Sequence, residues 1–365
     1  MVFRMQLATL KLHRIRTTCS TVKGKSLLRT PKRAVLAVLS VLLLTTGCSS
    51  NPLNGAPPTI APAHAADSPP ASQNPAGTIA PLDGHPRATV WDSGSLAVLC
   101  PSPDPAAPAS IAVFDASGRS ARAITLPAPA TALTSDGRGT AYLAAHGSFF
   151  TVDLAASHIT RVNVAGADDV DFTAIARRAD GKVVLGSADG AVYIVTGDGS
   201  VTHRKKIFAR VDGLVTQGDT TVVLDRGQTS VTAIGADGRV EQALRAGEGA
   251  TTLAADSLGR VLVADTRGGQ LLVYGVEPLI LRQAYPVRQA PYGLVGSREL
   301  AWVSQTASNT VIGYDLTTGI PVEKVRYPTV QQPNSLAFDE ASDTLYVVSG
   351  SGAGVQMIEH AAGSR

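Results

Sequence analysis

The sequence predicts an all-β fold, a seven-bladed β-propeller of four-stranded antiparallel blades, and three observations support this prediction. First, a short apolar segment recurs seven times from residue 87 onward, at intervals of 39 to 44 residues. Second, another apolar segment follows eight or nine residues later in every unit but the first. Third, Asp-Gly pairs, which favour tight hairpins, separate these segments. Four short strands in about 40 to 45 residues are typical of one propeller blade.

The recurring segment is the second strand of each predicted blade. Its copies are rich in Val, Ala and Leu and begin at Ala97, Ala141, Val183, Val222, Val261, Ala301 and Leu345. Apolar runs this short, bounded by turn residues, predict buried strands rather than helices. In the first unit the third strand begins only at Ile111, because the segment PSPDPAAPAS lengthens the turn before it.

The last unit lacks a fourth strand, because its third strand already reaches Glu359 near the end of the sequence. Residues 77–81 (GTIAP) lie just before the first unit and are the predicted source of the missing strand. Such a clasp would join the two ends of the propeller. Closure removes exposed strand edges, which otherwise promote aggregation.

The unit from Gln332 to Glu359, QPNSLAFDEASDTLYVVSGSGAGVQMIE, resembles the YVTN and NHL classes of propeller repeat. It contains Pro-x-x-Leu-Ala-Phe, an Asp-containing turn and Leu-Tyr-Val-Val, and the unit from Ala290 has the same plan. The resemblance covers about residues 77–360, and the chain is similar to actinobacterial surface lipoproteins with such a propeller. This resemblance specifies the propeller fold far better than it specifies an activity.

The first 47 residues have the organisation of a secretory signal peptide. Lys32 and Arg33 precede an 11-residue apolar run, which is shorter than the roughly 20 residues of a membrane-spanning helix. The following TTGC tetrad resembles the bacterial lipobox, although Thr45 replaces its usual Leu. The resemblance implies removal of residues 1–47 and covalent attachment of diacylglycerol and an N-acyl chain such as palmitate to Cys48. An unusual membrane anchor or a buried helix is the alternative interpretation of the run.

These features divide the chain into three expected regions. Residues 1–47 are the cleaved signal peptide, residues 48–76 are a flexible Pro- and Ala-rich tether that begins with the lipidated Cys48, and residues 77–365 are the propeller domain. The signal peptide holds nine of the 32 basic residues and none of the 29 acidic ones, so the remaining chain has a net charge of about −6. An acidic body disfavours nucleic-acid binding. We therefore expect a protein anchored in the cell membrane on its extracytoplasmic face.

The common catalytic motifs are missing from the sequence, which has no Gly-x-Ser-x-Gly, His-Glu-x-x-His, Cys-x-x-Cys or P-loop pattern. Cys100 is expected to be a buried, unreactive thiol. The histidines after residue 48 show no metal-ligand spacing. A basic cluster, His203–Lys206 with Arg210, is expected on the outer strand of the third blade, where its charge protects an exposed edge; docking of an acidic partner or of lipid headgroups is the alternative.

Propellers bind ligands where the loops before the innermost strands surround the central channel. The candidate residues at this channel mouth are Arg87, Asp169, Asp171, Asp212, Glu248, Tyr292 and Asn334. Their carboxylates would suit Ca²⁺, which prefers oxygen ligands, or they are solvated turn residues. Lactonase-like propellers place a Glu, an Asn and an Asp around a channel metal, and Glu248, Asn334 and Asp212 are the nearest equivalents by position alone.

The expected function is therefore non-catalytic binding or scaffolding, by a monomer whose partner is an envelope protein, a peptide or a glycan. A metal-dependent lactonase-like or lyase-like enzyme with its chemistry in the central channel is the alternative. Apart from the lipid on Cys48, no cofactor is expected, with Ca²⁺ as the ion that the mouth carboxylates would accept.

Overall fold

The computed structural model of this chain describes residues 57–71, 73–115 and 121–363. The predicted signal peptide, Cys48 and residues 49–56 of the predicted tether lie outside the described residues. No helix in the described ranges is long and apolar enough to cross a membrane.

The described residues form seven antiparallel sheets of four strands, which confirms the predicted seven-bladed propeller. Each of the first six blades uses four consecutive strands. Blade 1 contains β2 (Ala88–Asp92), β3 (Ser95–Cys100), β4 (Ser110–Asp115) and β5 (Ala121–Thr125); blade 2 contains β6 (Ala132–Ser135), β7 (Thr140–Ala145), β8 (Ser148–Asp153) and β9 (Ile159–Asn163); blade 3 contains β10 (Phe172–Arg177), β11 (Val183–Ser187), β12 (Ala191–Val195) and β13 (Val201–Lys206).

The remaining blades follow the same plan, with one three-residue 3₁₀ helix (Thr306–Ser308) between β23 and β24. Blade 4 contains β14 (Gly213–Gln217), β15 (Thr220–Asp225), β16 (Ser230–Ile234) and β17 (Val240–Arg245); blade 5 contains β18 (Ala250–Ala255), β19 (Arg260–Asp265), β20 (Gln270–Val276) and β21 (Leu279–Pro286); blade 6 contains β22 (Pro291–Gly296), β23 (Ala301–Gln305), β24 (Thr310–Asp315) and β25 (Val322–Pro328); blade 7 contains β26 (Pro333–Asp339), β27 (Thr344–Ser349), β28 (Val355–Ile358) and β1 (Thr78–Ala80).

Seven apolar clusters form the core, one at each interface between neighbouring blades. Alternate residues of one strand serve two interfaces. In β19, Val261 and Val263 pack towards blade 4, and Leu262 and Ala264 pack towards blade 6. Both faces of the inner strands are therefore buried, which explains why their sequences are continuously apolar rather than alternating.

The predicted clasp between the two ends of the propeller is confirmed. Strand β1 pairs antiparallel with β28, with Thr78 opposite Met357 and Ala80 opposite Val355. Ala80 is 3% exposed and joins the apolar cluster between blades 7 and 1. Gly77, with a φ of 71°, begins this strand where an added Cβ would overlap the carbonyl oxygen of Met357. Only glycine fits this close approach without strain.

Antiparallel order places two kinds of connection at one face of the propeller, which we call the mouth face. These are the hairpins between the second and third strands and the connections from each outer strand to the next blade. The remaining hairpins lie at the opposite face. Several predicted Asp-Gly turns lie there, and their Asp side chains accept backbone N–H groups two residues ahead, as Asp136 does from Arg138 at 2.9 Å.

The predicted tether requires a correction. Of its predicted span, residues 57–71 and 73–76 are described, and this part is not a free linker. It contacts the propeller, with Ile60 N–H donating to the Gly227 carbonyl at 2.8 Å and Ala76 N–H donating to the Pro328 carbonyl at 3.0 Å. The physical reason is that an extended Pro-rich chain has no internal hydrogen bonds, so its peptide groups pair with the propeller instead.

Candidate functional site

A buried polar residue ends the second strand in five of the seven blades and holds the mouth-face loops in place. These residues are Ser187, Asp225, Asp265, Gln305 and Ser349. Asp265 is fully buried, and its carboxylate accepts the backbone N–H groups of Glu248 (3.0 Å), Gly249 (2.8 Å) and Gly268 (3.0 Å). The Asp265 side chain thereby joins the connection between blades 4 and 5 to the hairpin between β19 and β20. Such charge-assisted bonds fix loop backbones strongly.

All seven predicted mouth residues lie at the mouth face, but only three of them line one pocket. Arg87, Tyr292 and Asn334 come from blades 1, 6 and 7 and line a cavity of about 300 Å³ together with His85 and Pro101. The Asn334 side chain is held by Gln332, whose Nε2 donates to Asn334 Oδ1 at 3.0 Å. The sequence-based choice of these three residues therefore identifies one pocket at the channel mouth.

Arg87 lies in a cationic environment. Burial by surrounding protein atoms lowers the pKa of its guanidinium, and the positive charges of Arg210 and Arg226 lower this pKa further, while Tyr292 raises it. Arg210 and Arg226 belong to the connection into blade 4 and to the second hairpin of that blade. The charges of two arginines of blade 4 therefore act on Arg87 of blade 1. Among the described residues, no carboxylate forms an ion pair with Arg87.

The predicted acidic residues do not converge on one point. Asp212 is engaged twice, since its Oδ1 lies 3.1 Å from Arg210 Nε and its Oδ2 accepts the Arg226 backbone N–H at 2.9 Å. Asp171 Oδ1 lies 2.7 Å from His146 Nδ1 on an exposed part of the face. Asp169 and Glu248 are exposed. Within the described ranges, no group of three or more His, Cys, Asp or Glu side chains is placed to hold a metal ion.

The basic cluster is only partly as predicted. His203–Lys206 lies on β13, the outer strand of blade 3, where Lys206 Nζ pairs with Asp189 Oδ2 at 2.7 Å. Arg210 lies instead in the connection to blade 4 and belongs to the mouth. Cys100 is half-buried rather than buried, and burial raises the pKa of its thiol. A raised pKa favours the protonated form of the thiol.

Sequence reasoning missed Arg226 and the pair of His146 with Asp171. Arg226 and His146 each lie in a hairpin between the second and third strands of a blade. Each follows directly after a second strand that the sequence predicted as an apolar segment. A search that included these hairpins, and not only the loops before the innermost strands, would have found them.

A larger cavity of about 590 Å³ lies on the opposite face, between blades 6 and 7. Two of its charged residues, Arg298 and Glu340, are partnered with each other. The Glu340 carboxylate accepts the Arg298 backbone N–H at 2.8 Å and lies 3.9 Å from the Arg298 guanidinium. The mouth pocket, whose arginine lacks such a partner, is the stronger candidate for ligand binding.

Comparisons with known proteins agree on the fold. No protein-family model and no curated protein matches this chain. A streptogramin B lyase superposes with a TM-score of 0.62 at 13% identity, covering 75% of this chain and 93% of that one. The virginiamycin B lyase of Staphylococcus aureus gives 0.63 at 13% identity, covering 76% and 96%. A chain of the mitotic checkpoint complex gives 0.64 at 13% identity, covering 82% and 98%. These similarities show a seven-bladed propeller that enzymes and assembly components share.

The buried carboxylate of Asp265 provides a test of how the mouth loops are held. Asp265→Ala leaves three backbone N–H groups without an acceptor, and we expect the free energy of unfolding to fall by about 3 kcal/mol. Asp237→Ala is the matched control, because Asp237 is exposed, accepts the Arg239 backbone N–H at 2.9 Å and lies 4.0 Å from the Arg239 guanidinium. It should cost at most about 1 kcal/mol. Urea denaturation measures both, and equal losses would contradict this role for Asp265.

Proposed function

We propose that this chain is a lipid-anchored, extracytoplasmic binding module, of the YVTN/NHL-like and actinobacterial type, that takes an anionic group of its ligand at the mouth pocket. The observation that carries the proposal is the Arg87 guanidinium, which lines the mouth pocket without an ion-pair partner among the described residues and feels the positive charges of Arg210 and Arg226. Guanidinium groups pair with carboxylates or phosphates through two parallel hydrogen bonds. Cations that face one another also repel, and a bound anion would relieve that repulsion.

The ligand class follows from the pocket chemistry. A cavity of about 300 Å³ accommodates one residue or one sugar rather than a large cofactor. Tyr292 offers a ring against which a sugar or an aliphatic side chain would pack, and Asn334 offers amide hydrogen bonds. We therefore propose an acidic peptide or a carboxylate-bearing glycan of the cell envelope as the ligand, bound by a monomer without catalysis.

The membrane location rests on Cys48. Two or more acyl chains on one cysteine give stable anchoring where a single chain does not. Anchoring would confine the mouth pocket to a layer next to the membrane, where envelope ligands are concentrated.

Replacing the lipidated residue tests the anchor. In cells, Cys48→Ala should move the full chain from the membrane fraction to the soluble extracytoplasmic fraction, because the acceptor thiol is lost. Ser49→Ala is the matched control and should leave the protein in the membrane fraction. Fractionation followed by immunoblotting measures both. Membrane retention of Cys48→Ala would contradict the lipid anchor.

Replacing the central arginine tests the anion site. The full chain should bind a hexaglutamate peptide in calorimetry, and Arg87→Ala should weaken that binding by about tenfold or more, since hydrogen bonds to charged groups contribute about 1.5–3 kcal/mol. Arg298→Ala, an exposed arginine of the opposite face, is the matched control and should bind as the unchanged chain does. Equal affinity in Arg87→Ala would exclude this residue from the site.

The alternative function is a metal-dependent lactonase-like or lyase-like enzyme. The 2.7 Å contact of His146 with Asp171 favours it, because an imidazole oriented by a carboxylate is arranged as a general base. A catalytically inactive variant of virginiamycin B lyase is known with quinupristin. Turnover of quinupristin by this chain with added Mg²⁺, abolished in His146→Ala, would establish the enzyme and overturn the non-catalytic proposal.

A further inference from the structure

Residues 57–71 lie extended across the mouth face from blade 4 to blade 7, and we call them the strap. Its first half contacts blades 4 and 5. Ile60 N–H donates to the Gly227 carbonyl at 2.8 Å, the Arg267 guanidinium donates to the Ala61 carbonyl at 2.7 Å, and the Arg226 guanidinium donates to the Ala63 carbonyl. Two hairpins of neighbouring blades, β15–β16 and β19–β20, thus bind the peptide groups of the strap.

The second half of the strap is bound by side-chain amides and hydroxyls of blades 6 and 7. Gln332 contacts it twice, because its Oε1 accepts the Ser68 N–H at 3.0 Å and its Nε2 donates to the Ala66 carbonyl at 3.0 Å. Thr306 Oγ1 accepts the Ala66 N–H at 3.1 Å. Gln331 and Asn309 donate to the carbonyls of residues 68 and 69, at 3.0 and 2.8 Å. The Gln332 amide therefore pairs with both peptide groups that flank one residue, as a neighbouring β-strand would.

The strap side chains contribute little to these contacts. Ala63 is the one buried residue among them, and Ile60 is 43% exposed. The contacts restrict which residue can occupy two positions of the strap, 63 and 68. Residue 63 must be small, because a Cβ added to Gly249 would lie 2.9 Å from the Ala63 Cβ. At residue 68, Ser68 Oγ donates to the Thr306 carbonyl at 2.6 Å and accepts the Gln332 N–H at 3.0 Å.

We infer that the mouth face of blades 4 to 7 is a binding site for an extended, Pro- and Ala-rich segment of a partner protein, and that the strap occupies this site in cis. Such a site recognises peptide backbone and tolerates many sequences, as in strand addition to a sheet edge. This inference goes beyond the anion site at Arg87, since the strap is bound through uncharged peptide groups, although Arg226, whose charge acts on Arg87, also donates to the strap. The two sites adjoin, because Gln332 also holds Asn334 of the mouth pocket.

A partner segment can occupy this site only after the strap leaves it, which breaks the strap's hydrogen bonds to propeller side chains. The strap forms one backbone-to-backbone hydrogen bond with the propeller, that of Ile60 with Gly227, whereas β1 is a paired strand of blade 7. Most of its side chains remain exposed. As part of the same chain, however, it competes at an effective concentration of the order of millimolar. A partner segment would therefore bind weakly until the strap is released.

Removing two backbone hydrogen-bond donors of the strap tests the inference in the full chain. Ala66→Pro with Ser68→Pro removes the N–H groups that Thr306 and Gln332 accept, while proline suits the extended conformation. The probe is a fluorescent synthetic peptide with the sequence of residues 57–71. We expect it to bind this double variant at least tenfold more tightly than the unchanged chain, because competition in cis is weakened.

A third change locates the binding site of the peptide. Gln332→Ala in the double variant should weaken peptide binding at least tenfold, and Arg239→Ala, on the opposite face, should leave it unchanged. Circular dichroism melts confirm that each variant is folded. Equal peptide affinity in the double variant and the unchanged chain, or no loss with Gln332→Ala, would overturn the inference. Arg87→Ala in the double variant removes the anion-site arginine and should leave binding of the strap peptide unchanged while it abolishes hexaglutamate binding, so that failure of one proposal is distinguishable from failure of the other.

Discussion

The pairing of β1 with β28 is the contact on which the rest of this structure depends. Every blade buries both of its faces, and each of the seven apolar clusters is shared by two neighbouring blades. An unclosed ring would expose the apolar faces between blades 7 and 1 to water, at a cost that grows with the apolar area, and loss of β1 would leave the β28 edge unpaired. The three residues Thr78–Ala80 prevent this by completing blade 7.

Closure also determines where the preceding residues lie. Ala76 connects the last two blades, because its N–H donates to the Pro328 carbonyl of blade 6 at 3.0 Å and its carbonyl accepts from Gln356 Nε2 of blade 7 at 2.7 Å. From this position the chain that precedes the clasp reaches the mouth face, where the strap lies. The residues that close the ring and those that occupy the candidate site are thus one continuous segment.

The fold was predictable from the sequence, whereas most of the site was not. Burial on both faces makes the second strands continuously apolar, so segments such as the one at Val222 recur visibly, and a seventh unit one strand short pointed to residues 77–81. Arg226 has no such signal, because the approach of arginines from separate blades depends on loop geometry. The binding of the strap to the propeller could not be predicted either, because it is held mainly through peptide groups, which every sequence has.

The measurement that most directly tests whether residues 57–71 belong to the propeller is a disulfide between the strap and blade 4. A Cβ built on Gly227 lies 3.5 Å from the Thr59 Cβ, and disulfides need Cβ separations of about 3.5–4.5 Å. In the full chain carrying Thr59→Cys and Gly227→Cys, mild oxidation should link these two positions, and mass spectrometry of tryptic peptides should recover the linked pair. Free, alkylatable thiols at both positions in a folded propeller would contradict the account.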